Sequence, residues 1–428
     1  MNWNSNDQQQ LDGTQGGVEN LSHIRMEDEN VYIGRSAGAL SESGRMRSVL
    51  IGYEAGKASR TTENNVYIGY RSGYNANSDR NNVFIGTNSG YNNTSGSNNI
   101  FIGMEVGYNN RAGENNVFLG YRAGLESQNG FRNVFVGLES GAHNVDGSKN
   151  VFLGSEAGKN NTNGTSNVFI GDSAGTNNYF GNDNVFLGTD AGRVNKSGDR
   201  NVFAGMGAGE FNDVGGDNVF LGYRSGGRNT QGGSNCMIGC GAGMDNTQGS
   251  YNTFVGSETG QNNNCGSKNV YMGYWAGKNT TGSDKNVLLG HQTGMNMKKG
   301  MQNVFIGTMC GQNSKESTNN IFIGYSAGFN NNNRDSFDSS LTFGNVEAID
   351  LVTDLDVSAL IQNKMRTDET ITHPNSLQIK YETIYGKLQM QTAGNEPFGF
   401  GYEVSSVPVV DAMSTFVSTN DLNEYVLI

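Results

Sequence analysis

The chain has 428 residues, of which 63 are Gly and only 3 are Pro, and its formal net charge is −12. Glycine at this level without a triplet period excludes collagen, and regularly spaced apolar segments exclude a disordered chain. The 4 Cys residues are too few for a disulfide framework in a chain of this length.

The first element in chain order is a polar segment, residues 1–29, rich in Asn, Gln, Asp and Gly. It lacks the basic and apolar regions of a secretory signal, and we interpret it as a cap or an attachment tail. No run in the chain is long and apolar enough for a membrane helix, so we expect no membrane insertion.

Residues 30–344 contain a repeated pattern of Asn, an aliphatic residue, an aromatic residue, an aliphatic residue and Gly. We number each copy from this Gly, which is position 0; a second Gly follows at position +4 in all eighteen copies. After one step of 18, every step is 17 residues. A register this strict predicts an all-β chain whose repeats form a parallel β-roll or β-solenoid of about 18 turns with a 17-residue period. The position-0 Gly residues are at 34, 52, 69, 86, 103, 120, 137, 154, 171, 188, 205, 222, 239, 256, 273, 290, 307 and 324.

Each repeat predicts one strong strand at positions −3 to −1 and a short second strand at +1 to +4, with polar turns between them. Both faces of the strong strand are apolar, which is typical of strands covered on both sides. We expect the aliphatic residues at −3 and −1 to face a thin interior, opposite the small residue at +3. The aromatic column at −2 would then lie outside, in a symmetric oligomer interface. Its representative members are Phe84, Phe101, Phe118, Phe135 and Phe152.

Two other rows of side chains are candidates for ladders. Position −4 is Asn in seventeen of eighteen copies, and amides stacked about 4.8 Å apart bond along a ladder. This structural ladder is represented by Asn82, Asn99, Asn116, Asn133 and Asn150. Position +5 carries Tyr in three successive copies, beside polar residues at +2, and stacked rings with polar neighbours bind sugars. The alternative is that these rings only fill the turn. The candidate site comprises Tyr74, Tyr91, Tyr108, Arg71, Asn88 and Glu105.

The last segment, residues 345–428, differs from the repeat and follows a degenerate final turn at 341–344. From Asp335 to Ile428 there are 14 acidic and 4 basic residues, so −10 of the net charge of −12 lies in these residues. Alternating apolar residues predict an acidic, mostly β domain. A trimerisation cap, a docking module and a receptor-binding tip all remain open. The near-neutral repeat has no basic stripe, so we expect no nucleic-acid partner.

No pattern in the sequence indicates catalysis. The four His residues are isolated, with no metal-ligand spacing, and the Gly-rich segments lack the Lys-Ser/Thr of a phosphate loop. We therefore expect no enzyme activity, no metal and no cofactor.

The segments NNVFIGTNSG, NNVYIGYRSG and SNVFIGDSAG resemble the head repeats of the YadA-like trimeric autotransporter adhesins, and similar repeats occur in phage and viral fibres. The resemblance covers about residues 30–328 and implies a homotrimeric β-roll that binds host surfaces. The period is longer than is usual in that family, and aromatic residues stand at −2. Since we find no heptad stalk and no membrane-barrel strands, we expect virus or phage fibres to be the better comparison.

The sequence therefore predicts a structural, adhesin-type fibre protein on a virus or phage particle, which mediates attachment to a host surface. Its expected partners are further copies of itself in a homotrimer, other particle or surface proteins, and a host glycan or protein receptor. The alternatives are a capsid-associated cement protein without receptor binding and a cell-surface adhesin head. The expected location is the particle surface, and the alternative is the extracellular surface, reached without a secretory signal.

Overall fold

The computed structural model describes residues 23–27, 29–41 and 47–329 and five further strands in the last ninety residues. The chain divides into two compact units, Met1–Phe131 and Arg132–Ile428, which we describe separately. All the extended elements of the described residues are β-strands, and no α-helix is present among them. That part of the chain accordingly has no helix able to cross a membrane.

The first unit consists of a hairpin followed by parallel strands. Its first strand, Ile24–Glu27, pairs antiparallel with Asn30–Ile33, so the outer edge of the first turn is covered by the chain itself. Each later strand pairs in parallel with its predecessor. These strands are Val49–Ile51, Val66–Ile68, Val83–Ile85, Ile100–Ile102 and Val117–Leu119.

The second unit continues the same pattern with the same 17-residue period. Its main strands are Val134–Val136, Val151–Leu153, Val168–Ile170, Val185–Leu187, Val202–Ala204, Val219–Leu221, Cys236–Ile238, Thr253–Val255, Val270–Met272, Val287–Leu289, Val304–Ile306, Ile321–Ile323 and Leu341–Phe343. A short parallel pair, Lys299–Met301 with Glu316–Thr318, runs along a second side. The strand Leu341–Phe343 pairs in parallel with Ile321–Ile323, as expected of a degenerate last turn.

Equivalent residues of successive turns pair in register. Val168, Phe169 and Ile170 lie beside Val185, Phe186 and Leu187. This arrangement confirms the predicted parallel β-solenoid. The predicted second strand at +1 to +4 is wrong, because those residues form a turn. Their backbone groups still bond to the neighbouring turn, as when the Gly175 N–H donates to the Ala191 carbonyl at 2.9 Å.

The two Gly positions of each repeat require Gly for different structural reasons. Gly171 has φ of +141°, and a Cβ there would lie 2.5 Å from the carbonyl oxygen of Gly188 in the next turn. Gly175 has φ of +59°, and its Cβ would lie 2.5 Å from the ring of Phe169. The first Gly therefore permits close stacking of turns, and the second permits an aromatic ring inside the turn.

The aromatic residues at −2 fill the interior, and their predicted position in an oligomer interface is wrong. Phe84, Phe101, Phe118, Phe135 and Phe152 are all 0% exposed within one chain. Their rings stack on neighbours in the same unit, as for Phe152 and Phe169 with centroids 4.8 Å apart and planes 4° apart. The small residues at +3 and +4 leave room for these flat rings, and the aliphatic side chains at −3 and −1 consequently face outward.

The last segment contributes two antiparallel strand pairs to the described residues. Gln378–Glu382 pairs with Lys387–Gln391, and Phe416–Ser418 pairs with Tyr425–Leu427. The remainder of the predicted domain at 345–428 lies outside the described residues, as does most of the predicted N-terminal cap at 1–29.

Candidate functional site: the ladders and outward faces of the turns

The Asn residues at −4 are fully buried and bond between turns. Within the first unit, the Asn82 side-chain oxygen accepts the backbone N–H of Asn99 at 2.8 Å, and the Asn99 oxygen accepts that of Asn116 at 3.0 Å. The Asn99 amide also donates to the Gly113 carbonyl at 2.8 Å. In the second unit, Asn133 and Asn150 repeat this arrangement. The side chains of these five residues thus form hydrogen bonds with the backbone of neighbouring turns. Buried backbone groups gain partners that their own turn does not supply.

A second buried Asn ladder, at position +7, is absent from the sequence-based expectations. Here the amides bond directly to each other: Asn161 donates to Asn144 at 2.6 Å, and Asn178 donates to Asn161 at 2.7 Å. The signal that identifies this row is the recurrence of Asn at +7 beside the more variable Asn at +6. Equivalent residues in the same unit are Asn195, Asn212, Asn229, Asn246 and Asn263.

One turn of the first unit carries a buried carboxyl group. Tyr67 stands at −2, and its hydroxyl donates to the Asp79 carboxylate at 2.5 Å. The amides of Asn82 and Asn93 donate to the same carboxylate at 3.1 and 2.7 Å. Burial raises the pKa of Asp79 to about 7, against these hydrogen bonds. Most other turns have Phe at −2 and Gly at +10. This turn therefore differs from them at two positions, and the side chains at these positions bond to each other.

The outward apolar surface is formed by the side chains at −3 and −1, which we call the outer strand face. In the second unit the side chain of Ile170 is 39% exposed, and those of Leu187, Ile238, Met272, Ile306 and Ile323 are exposed to a similar degree. The adjacent row at +1 adds exposed Tyr, Met and Leu side chains. An apolar strip of this regularity is typical of a surface that another protein covers.

The three Tyr residues at +5 form the predicted stack. The ring centroids of Tyr74 and Tyr91 are 4.8 Å apart, and those of Tyr91 and Tyr108 are 4.9 Å apart. The planes differ by only 2° and 4°, so each inner ring face is covered by its neighbour. The Lys57 ammonium lies 5.2 Å from the centroid of Tyr74. The stack therefore presents ring edges and hydroxyl groups to solvent along its side rather than open faces.

The polar residues at +2 beside this stack are spaced one turn apart, and all have positive φ. The Arg71 guanidinium bonds to Glu54 at 2.8 Å, and Glu105 accepts from Arg122 at 2.7 Å. The Lys57 and Arg71 hydrogen bonds lower the pKa of Glu54. Arg71 and Glu105 thus belong to charge pairs between turns, with Asn88 between them. The structure brings all six predicted residues to one side of the first unit.

The described residues contain no group of three or more His, Cys, Asp or Glu side chains able to hold a metal ion. Searches against protein-family models, curated proteins and solved structures found no match to this chain. The features of the described residues that bear on function are therefore the fold and the outward surfaces of the turns.

Proposed function

We propose that this chain is a structural component of a surface fibre on a virus or phage particle, and that the fibre attaches the particle to a host surface. The observation that carries the proposal is the repetition of equivalent backbone bonds and of the buried Asn row at −4 in successive turns. Such a scaffold places equivalent outward positions at about 4.8 Å intervals, which suits a rigid spacer and a repetitive binding surface. The resemblance to fibre and adhesin repeats supports the same role.

The proposal includes self-association through the outer strand face, in a homotrimer. The twelve main strands of the second unit from Val134–Val136 to Ile321–Ile323, at about 4.8 Å each, extend over about 55 Å, and three residues of strand are about 10 Å wide. Two such strips facing each other bury roughly 1,100 Å², slightly more than the lower bound of about 1,000 Å² for a specific interface. The outer strand face therefore replaces the aromatic column as the contact surface between copies.

This contact is tested by placing charges on the strip. Ile170→Lys together with Leu187→Lys should lower the molar mass measured by light scattering to that of one chain, with the β-sheet circular dichroism unchanged. Asn163→Lys, at an exposed turn position of the same unit, is the control and should leave the mass unchanged. A wild-type monomer, or a double variant of wild-type mass, would reject the outer strand face as the interface.

The attachment role is tested on the parent particle. Antibody labelling in electron microscopy should place the protein on radial projections, and the purified protein should compete with particles for host cells. Label confined between capsomers would instead support the cement alternative, and label on a cell surface would support an adhesin head. Either result would reject the particle-fibre proposal.

A further inference from the structure

A groove lies between positions +6 and +8 along one side of the second unit. It has a volume of about 700 Å³ and is lined by Asn279, Asn296 and Asn313 at +6 and by Thr281, Lys298 and Lys315 at +8, among others. The groove crosses successive turns, so it runs in the stacking direction. A groove with this direction suits a linear polymer rather than a compact ligand.

The first unit has a groove at the same positions of the repeat. It has a volume of about 540 Å³ and includes Asn75 and Asn92 at +6 and Arg60, Thr94 and Arg111 at +8. The two grooves share an amide row on one side and cations with a hydroxyl on the other. No carboxylate lines either groove.

The cations that line these grooves have no carboxylate partner among the residues that the structure describes. Within the described residues, Lys298 and Lys315 form no ion pair, and neither do Arg60 and Arg111. By contrast Lys196, which is also at +8, lies 3.2 Å from Asp213 of the next turn. Positive charge without an ion-pair partner is thus present beside both amide rows, and an anionic ligand would neutralise it.

The amide rows supply neutral hydrogen bonds at a regular interval. Asn279 donates to Asn296 at 2.8 Å, and Asn296 donates to Asn313 at 2.8 Å. Each inner amide uses one N–H and one oxygen lone pair in this row and keeps one N–H for a ligand. The interval of about 4.8 Å between turns is close to the length of one sugar ring in a chain. Hydroxyl and carboxylate groups on successive sugars could therefore meet successive amides.

We propose that the +6/+8 grooves bind a linear acidic polysaccharide with carboxylates on neighbouring sugar residues, of the polyuronate type. The ammonium groups of Lys298 and Lys315, one turn apart, bind two neighbouring carboxylates, and the Asn row binds hydroxyl groups. This inference rests on the proposed attachment role and names the class of ligand that the fibre would bind. The binding itself is measurable on the purified chain.

The grooves favour a polysaccharide over single-stranded nucleic acid. Proteins that bind single strands combine positive charge with aromatic rings on which the bases stack. Neither groove includes an aromatic side chain. The available chemistry is therefore that of hydroxyl and carboxylate recognition, without a platform for bases.

The test is titration of the full chain with a fluorescently labelled hexamer of galacturonic acid, followed by anisotropy. Lys298→Gln with Lys315→Gln should weaken binding about tenfold at the second-unit groove. Adding Arg60→Gln and Arg111→Gln should abolish saturable binding. Lys196→Gln is the matched control and should leave binding unchanged, because that lysine is paired outside the grooves. Added salt should weaken binding of the wild-type chain.

Wild-type affinity in the fourfold variant would overturn the inference, as would equal binding of a neutral cellohexaose. Stronger binding of an oligothymidylate of similar charge would assign the grooves to nucleic acid instead. The attachment role is separable: if hexamer binding is lost in the fourfold variant while particle attachment persists, the grooves are not the attachment site. If the wild-type chain binds the hexamer but lies between capsomers, the groove inference stands and the attachment role fails.

Discussion

The inward position of the aromatic column makes a quantitative prediction for adjacent residues of one strand. Phe169 is 0% exposed, with ring centroids 4.8 Å from Phe152 and 4.7 Å from Phe186. Its replacement by Ala removes a fully buried ring from between two others, and such changes cost about 3–5 kcal/mol. The side chain of Ile170 is 39% exposed in one chain. Ile170→Ala should lose only part of the ~1.5–3 kcal/mol that full burial contributes, and we expect a loss of about 1–2 kcal/mol in the free energy of unfolding.

The assay is guanidinium unfolding at fixed protein concentration, followed by far-ultraviolet circular dichroism, with free energies obtained from the midpoint and slope. Phe169→Leu is the matched control, because Leu50 and Leu288 occupy the same position in other turns. We expect it to cost less than about 1.5 kcal/mol. If Ile170→Ala costs as much as Phe169→Ala or more, at a protein concentration where light scattering gives the mass of one chain, the inward aromatic column is wrong.

Three further predictions concern the turns. Because the pKa of Asp79 is raised to about 7 from an ordinary value near 4, the free energy of unfolding should fall as pH rises from about 4 to about 7 and level off above. Tyr67→Phe with Asp79→Gly should remove that dependence, and a pH slope that persists in thermal melts would contradict the assignment. Ser173 has φ of +57°, and Gly207 and Gly241 occupy the same position in other turns. Ser173→Gly should therefore raise the free energy of unfolding in guanidinium by about 0.5–1 kcal/mol. A lower free energy of unfolding would show that the Ser conformation carries no strain. Deleting residues 171–187 removes one whole turn and should leave a cooperative thermal melt. Deleting one residue within the strand at 168–170 should be far more destabilising, because it shifts every inward side chain. Equal melting temperatures for the two deletions would contradict the solenoid.

The sequence predicts the turn spacing well because the 17-residue period is strict, and both Gly positions indicate close backbone approaches. It leaves the orientation of the strand open, since Val168 and Ile170 on one face and Phe169 on the other are all apolar. One signal could have resolved this choice. The Asn at −4 bonds inside the turn, and alternate residues of a strand share a face, so the residue at −2 faces inward with it.

The candidate binding residues were less predictable than the fold. The row at +5 could be identified as a Tyr ladder, but the covering of its inner ring faces follows from the 4.8 Å stacking of Tyr74 on Tyr91. The +6/+8 grooves depend on which cations are paired across turns. Lys196 and Lys298 occupy equivalent positions, but the residue at that position one turn further on is Asp213 for Lys196 and Lys315 for Lys298. Predicting which of these two lysines forms an ion pair requires both the period and the side-chain geometry.

The most direct test of the solenoid is the distance between spin labels placed at position +1 of the second unit. With the native Cys residues replaced, labels would be attached at Ser155 paired with Met206, with Ser257 or with Tyr325, and the labelled chain would be diluted with unlabelled chain. These pairs are three, six and ten turns apart by the 17-residue period. Double electron–electron resonance should give distances that rise linearly, at about 14, 29 and 48 Å for a spacing of about 4.8 Å per turn. Distances that fail to rise in proportion to the number of turns would contradict the parallel, in-register stack.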